Sequence, residues 1–290
     1  MEELRMHSMN KSQTRPGSRG FTLVELAVMI VMVALLGSLL LPAYAKTGLN
    51  SRTAQCLNNN RQLCAAWRMY ADDNRDRIVY ASDDGTGTSN PLNQYAWTGA
   101  HMDSNPSNRQ IWDPTLDLMK RPLWPYSGRN AAIYKCPSDQ SYVVVNGVSK
   151  PRIRSMSMNL YLGGFDGTDG GWSFADPYRI FLKTTDLSAP GPARTFVFLD
   201  QRWDWVNWGN FMTDMSGYPN SPAQYALPDL PNMIHNNGCG FSFADGHTEL
   251  HRWLDPRTTP SPGGSASPSA FYVPNDPDVA WLQAHATAPK

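Results

Sequence analysis

His235, Asp245, His247 and His251 are the residues whose types and spacing come closest to metal chemistry. Imidazole and carboxylate are suitable donors for a divalent ion, and His247 and His251 share one face of an extended strand. Nothing in their spacing fixes a tetrahedral or octahedral arrangement. The plainer reading is a hairpin whose turn demands Asp245-Gly246 and whose approach is pinned by a hydrogen-bonding His235. Cys56, Cys64, Cys136 and Cys239 show no C-x-x-C pair, and an even count in an exported chain permits two disulfides. Cys56 and Cys64 are poor partners for each other, because eight residues of helix rise about 12 Å. Any bridge should therefore tie this helix to the later part of the chain. A G-x-S-x-G elbow, an H-E-x-x-H helix and a Walker glycine loop are all missing from the sequence, which argues against the hydrolases and nucleotide enzymes that use them. Asp72, Asp73 and Asp166 stand in turn-like contexts and read as solvated turn residues rather than a glycosidase pair. Trp203, Trp205 and Trp208 form a dense aromatic patch that suits sugar stacking, burial of a partner, or cover for a sheet edge.

The elements that must position these residues begin with residues 21–41, an apolar run about as long as a bilayer core is thick, holding one ionisable side chain, Glu25. Arg15 and Arg19 precede it, which predicts a membrane helix with its leader inside and the rest of the chain outside. A secretory signal cut after Ala43-Tyr44-Ala45 is the rival, with Lys46 as the mature terminus. The run is longer than an ordinary signal core, and Glu25 has no use in one. Beyond Pro42, where a kink is expected, Leu49, Thr53, Cys56, Leu57, Leu63, Cys64, Trp67, Tyr70 and Ala71 recur mostly every three or four residues. That pattern predicts an amphipathic helix to about residue 75, seeking a sheet. The 25 basic and 25 acidic residues cancel, so a nucleic-acid partner is not expected.

Gly20-Phe21-Thr22-Leu23-Val24-Glu25 followed by an apolar helix resembles the cleavage and methylation motif of type IV prepilins and type II secretion pseudopilins. His235 with Asp245-Gly246 resembles the H-x9-DG segment of many prepilin-like proteins. So do Cys56-Leu57-Asn58-Asn59, Tyr134-Lys135-Cys136-Pro137-Ser138-Asp139, Arg154-Ser155-Met156-Ser157-Met158-Asn159 and Phe198-Leu199-Asp200. The resemblance implies a prepilin peptidase that cuts after Gly20 and methylates Phe21. It also implies that Glu25 pairs with the terminal amine of a neighbouring subunit; by its position, Glu25 could instead merely cap its own helix. The expected partners are that peptidase, other pilin-like subunits, an assembly platform and the membrane. The expected role is a structural, non-catalytic subunit of a secretion or pilus-like filament, with a membrane-tethered binding module or a metal-dependent hydrolase as the alternatives. Cys56 with Cys136, and then Cys64 with Cys239, are the pairings the resembling segments suggest. Analogy with major pseudopilins adds Asp200, Asp204 or Asp245 as calcium ligands; Gln201 stands where relatives often carry a second acid, which weakens such a site. No cofactor beyond such a divalent ion is expected.

The expected fold is α+β and pilin-like: a long N-terminal transmembrane and amphipathic helix on an antiparallel sheet, with long loops and a disordered tail. Its parts are a leader (1–20), a membrane helix (21–41), a stalk helix (42–75), a globular domain (76–254) and a low-complexity tail (255–290). Strands are predicted at 141–145, 153–162, 179–183 and 195–199, with a two-residue hairpin turn at Asp245-Gly246. The tail is rich in Pro, Ser, Gly and Thr, a composition that predicts disorder relieved at most by a short docking segment at 280–282. The expected location is the inner membrane, single-pass, with the globular domain periplasmic.

Overall fold

The computed structural model describes residues 22–83, 90–168, 177–263 and 271–290, with backbone alone for residues 34–50 and Phe271. Gly20 and Phe21 lie outside the described residues. The chain divides after Gly48 into two compact units, and each is described by itself.

The first unit holds the opening turns of helix α1, Leu23–Asp73. Thr22 and Glu25 start it with a capping box. The Thr22 backbone N–H and hydroxyl donate to Glu25 Oε2 at 2.9 and 2.8 Å, and the Glu25 N–H donates to Thr22 Oγ1 at 3.2 Å. The apolar side chains of residues 23–33 stand exposed, Leu23 at 85%. Helical backbone continues through Pro42.

Three parts of the expected fold class do not hold. Among the described residues no helix is long and apolar enough to cross a membrane. The single-pass inner-membrane location inferred from residues 21–41 is corrected with it. The other two corrections concern the sheet and the tail of the second unit.

In the second unit the apolar stripe of α1, with Cys56, Leu63, Cys64, Trp67, Tyr70 and Ala71 buried, faces the core. A hairpin follows, β1 (Tyr142–Val145) with β2 (Val148–Pro151). Then come β3 (Met156–Asn159), β4 (Phe196–Asp200), β5 (Asn210–Phe211), β6 (Ala226–Leu227), β7 (Gly238–Phe243), β8 (Thr248–Arg252) and β9 (Phe271–Tyr272). The main sheet has the order β5-β3-β4-β7-β8. It is mixed rather than antiparallel, because β5 runs parallel to β3. The expected strand at 179–183 is reduced to isolated bridges, Arg77 with Lys183 and Leu162 with Phe181.

Both faces of this sheet are covered. Val197, Phe198, Met156 and Met158 pack with α1, while Phe196, Leu199, Phe241 and Phe243 pack in a second cluster with Trp253, Val279 and Leu282. A register shift between Phe196 and Phe198 lets Val197 and Phe198 share the α1 side. The second cover comes from the tail expected to be disordered. Helix α2, Pro277–Ala286, starts at Asp276, whose side chain accepts from the Asp278 and Val279 N–H groups, with Pro277 in the first helical position. The Asp278 carboxylate accepts from the Leu254 and Asp255 N–H groups and from Thr258 Oγ1, which straps residues 254–258 to the helix. A Pro- and Ser-rich stretch can be held this way because few apolar residues suffice when they are Val279, Trp281 and Leu282 set on a waiting apolar sheet face.

If α2 is cover for the sheet, Leu282→Ala should cost about 2–5 kcal/mol of unfolding free energy, the range for emptying a fully buried leucine site. Urea midpoints of the two full-length proteins measure it, and a loss below about 0.5 kcal/mol, the level of a surface change, would show that the segment does not close the core.

Candidate functional site

Four donors from distant parts of the second unit meet in its interior. Cys56 lies on α1; Cys136 follows a 3-10 turn, Ala131–Tyr134; Asp200 ends β4; His235 lies in the loop before β7. Their ligand atoms are all within 4.8 Å of one another. None of the four residues is more than 3% exposed.

Local rules place each one. Cys56 is on the apolar stripe of α1, one turn beyond Thr53. Asn130 caps the 3-10 turn through the Ala132 N–H, and Cys136 is then fixed by its own N–H donating to Ser155 Oγ at 2.9 Å. Strand alternation puts Asp200 on the same side as Phe198, toward α1. His235 is followed by Asn236 and Asn237, both left-handed at φ 56° and 58°, a conformation asparagine tolerates better than most residues.

The polar contacts are specific. His235 Nε2 lies 3.2 Å from Cys136 Sγ, and its Nδ1 lies 3.0 Å from Thr53 Oγ1. The Asp200 carboxylate accepts from Ser155 Oγ at 2.7 Å and from Asn232 Nδ2 at 3.0 Å. Cys136 Sγ accepts the Ser138 N–H at 3.4 Å. Burial pushes the Asp200 carboxyl well above its usual range, with the neighbouring Cys136 adding to it. The Cys136 thiol is pushed up by its hydrogen bond with Cys56 and by burial, and burial pushes His235 down. By itself this pocket therefore favours neutral groups. Two thiols, an imidazole and a carboxylate are a donor set that one cation can gather.

The residues singled out from sequence are divided by the fold. His235 and Asp200 enter the cluster, while Asp245, Gly246 and His247 sit at the tip of the β7–β8 hairpin. There the Phe243 N–H donates to the His247 carbonyl at 2.9 Å. The loop is thus three residues, Ala244-Asp245-Gly246, rather than the expected two, because Gly246 at φ 98° supplies the extra left-handed step. Asp245 Oδ1 pairs with His247 Nδ1 at 2.6 Å, partly exposed. His251 stacks on Trp281 at 3.8 Å. Asp204 is engaged by Arg202 at 2.6 Å and by the Gly263 N–H, which leaves it poorly suited to calcium.

All four cysteines are free thiols. Cys64 donates to the Phe243 carbonyl at 3.1 Å and Cys239 to the Asp200 carbonyl at 2.9 Å, so they are separately engaged rather than paired. The tryptophans do not share a platform: Trp203 is exposed, Trp205 packs against the second cluster and Trp208 stacks on His101. Sequence reasoning treated Cys56 and Cys136 only as bridge partners and passed over Thr53 and Ser155. The one available signal was that Thr53 and Cys56 lie a turn apart on the same apolar stripe. The chain matches no protein-family model, no curated protein and no solved structure.

Burial between Trp281, Trp253 and Phe241 holds His251 down to about 4, against opposition from Asp278 and with reinforcement from His285. An unfolded histidine titrates near 6.5. Between about 6.5 and 4 the unfolded chain therefore binds a proton that the native chain refuses, and stability falls with pH in that window. The His251→Phe variant should lose less stability than the unmodified protein between pH 7 and pH 4.5 in urea titrations; parallel curves would show that His251 is not held neutral by the fold.

Proposed function

We propose that this chain is a non-catalytic structural subunit of the pilin and pseudopilin kind, cut by a prepilin peptidase after Gly20 and joined to other pilin-like subunits through residues from Phe21 onward. The observation that carries this reading is the start of α1. Every described side chain of residues 23–33 is exposed, all but Glu25 are apolar, and the carboxylate stands in the first turn. An apolar helix face of that length left uncovered suits packing against like helices. The members of the cluster of Cys56, Cys136, Asp200 and His235 are at most 3% exposed, which favours a structural over a catalytic role for that cluster.

Mass spectrometry of the native protein tests the processing: a mature chain starting at N-methylated Phe21 is expected, and a start at Lys46 would replace this reading with ordinary secretion. Glu25→Gln then tests the assembly role. Glutamine can keep the reciprocal hydrogen bonds of the capping box, so the substitution removes charge while leaving the helix start in place. Incorporation into filaments should fall at matched protein levels, with cleavage after Gly20 followed separately. Equal incorporation of both proteins would leave Glu25 as a helix cap and nothing more.

A further inference from the structure

We infer that Cys56, Cys136, Asp200 and His235 form a closed, four-coordinate site for one zinc ion. The inference goes beyond the assembly role and does not depend on it. Zinc is held by thiolate, imidazole and carboxylate in tetrahedral sites, and a site with four protein ligands and no open position is structural. The donors here number four, one from each residue, and lie within 4.8 Å of one another. Two of the four are sulfur, which selects zinc over the calcium that the sequence suggested, because calcium takes six to eight oxygens and this cluster offers one carboxylate.

The surroundings orient the donors toward a common point. Metal-binding histidines usually give their other ring N–H to an acceptor, which fixes the tautomer and the ring plane. Thr53 is placed to accept from His235 in this way: Nδ1 is 3.0 Å from Thr53 Oγ1 while Nε2 lies 3.2 Å from Cys136 Sγ. Asp200 is held at both oxygens, by Ser155 and Asn232, and the Cys136 sulfur takes a backbone N–H from Ser138. A buried acid beside two thiols gains little from neutral hydrogen-bond donors alone, whereas a dication at the centre of the four would offset two of the three negative charges the ligands carry. The remaining negative charge is felt by Lys135, whose ammonium stands 3.9 Å from Asp139 and donates to the Ser141 carbonyl. On zinc binding, the two thiols and the carboxyl release their protons to solvent and each supplies a lone pair, with no change of oxidation state.

The rival use of the same atoms is a Cys56–Cys136 disulfide, and the experiment separates the two. The full chain is stripped with chelator under reducing conditions, then titrated with zinc or cobalt(II) alone. About one equivalent should bind, and the cobalt form should show the intense visible bands of a tetrahedral ion with sulfur-to-metal charge transfer. Cys136→Ser should abolish this, whereas Cys64→Ser, which removes a buried thiol outside the cluster, should leave it. Thr53→Ala keeps all four ligands and should weaken zinc binding about 10- to 100-fold, as loss of a partner that orients a ligand does. If Cys136→Ser does not fold, the cobalt spectrum of the unaltered chain decides. A chain that holds four free thiols and binds no metal, a weak octahedral cobalt spectrum, or a Cys56–Cys136 bridge in protein from its native compartment would each overturn the zinc site.

Discussion

The close approach of α1 to β7 is the contact on which the second unit depends. Gly240 makes it possible: a Cβ there would meet Asn60 Nδ2 and Leu57 Cδ2 at 3.3 Å and Cys56 Sγ at 3.7 Å, so even one methyl would press on the helix. Three points fasten the two elements along their length. Thr53 meets His235 before the strand, Cys64 donates to the carbonyl of Phe243 at its end, and Arg68 donates to the carbonyl of Asp245 at the hairpin tip. The spacing between His235 and Asp245-Gly246 is thus the length of a strand and its approaches, with each end fixed to the same helix. Its residues act apart: the histidine serves the interior and the Asp-Gly serves a turn.

The interior also carries charge, handled in two ways. Arg154 is completely buried, donates to the carbonyls of Met156, Ala100 and Asn207 and lies 5.4 Å from the Trp97 ring. Burial holds it down to about 9. Backbone oxygens and an aromatic face stand in for its water, and the charge of Asp117 opposes the effect of burial. Asp117 is solved by pairing: it takes hydrogen bonds from Thr98, the Gly99 N–H and Arg121. Asp200 is held by neutral donors, as the buried Asp229, Asp276 and Asp278 are, and differs from them in the two thiols beside it.

The parts of this fold that were legible in the sequence are those governed by local rules. Three- and four-residue spacing from Cys56 to Ala71 marks the buried stripe of α1, and Asp245-Gly246 marks a hairpin, though the third loop residue depends on the conformation of Gly246 rather than on its identity. The rest was hidden by long-range effects. β4 reads Phe-Val-Phe-Leu-Asp and is buried throughout, a run without alternation that signals a strand covered on both faces; taken with that run, the tail becomes the natural second cover. Its composition pointed to disorder because the few residues that matter, Val279, Trp281 and Leu282, are scarce in number and decisive in position. The apolar segment at the start misled in the opposite direction, since a run of residue types describes hydropathy and not what surrounds it. The cluster of Cys56, Cys136, Asp200 and His235 was legible only in fragments, Asp200 and His235 among the metal candidates and Cys56 with Cys136 as a suggested pair, because its members lie far apart in the sequence and meet only when β4 and β7 are laid under α1.

That one face of the sheet is closed by α2, which follows every strand in the sequence, also sets the order in which that face can be completed. Until α2 leaves the ribosome, Phe196, Leu199, Phe241 and Phe243 lack the cover of Val279, Trp281 and Leu282, and part of an aromatic sheet face stands open to the surroundings. Such faces invite association with other unfinished chains. The second unit therefore cannot complete its packing from its amino end as it emerges, and part of that face stays open until α2 has been made.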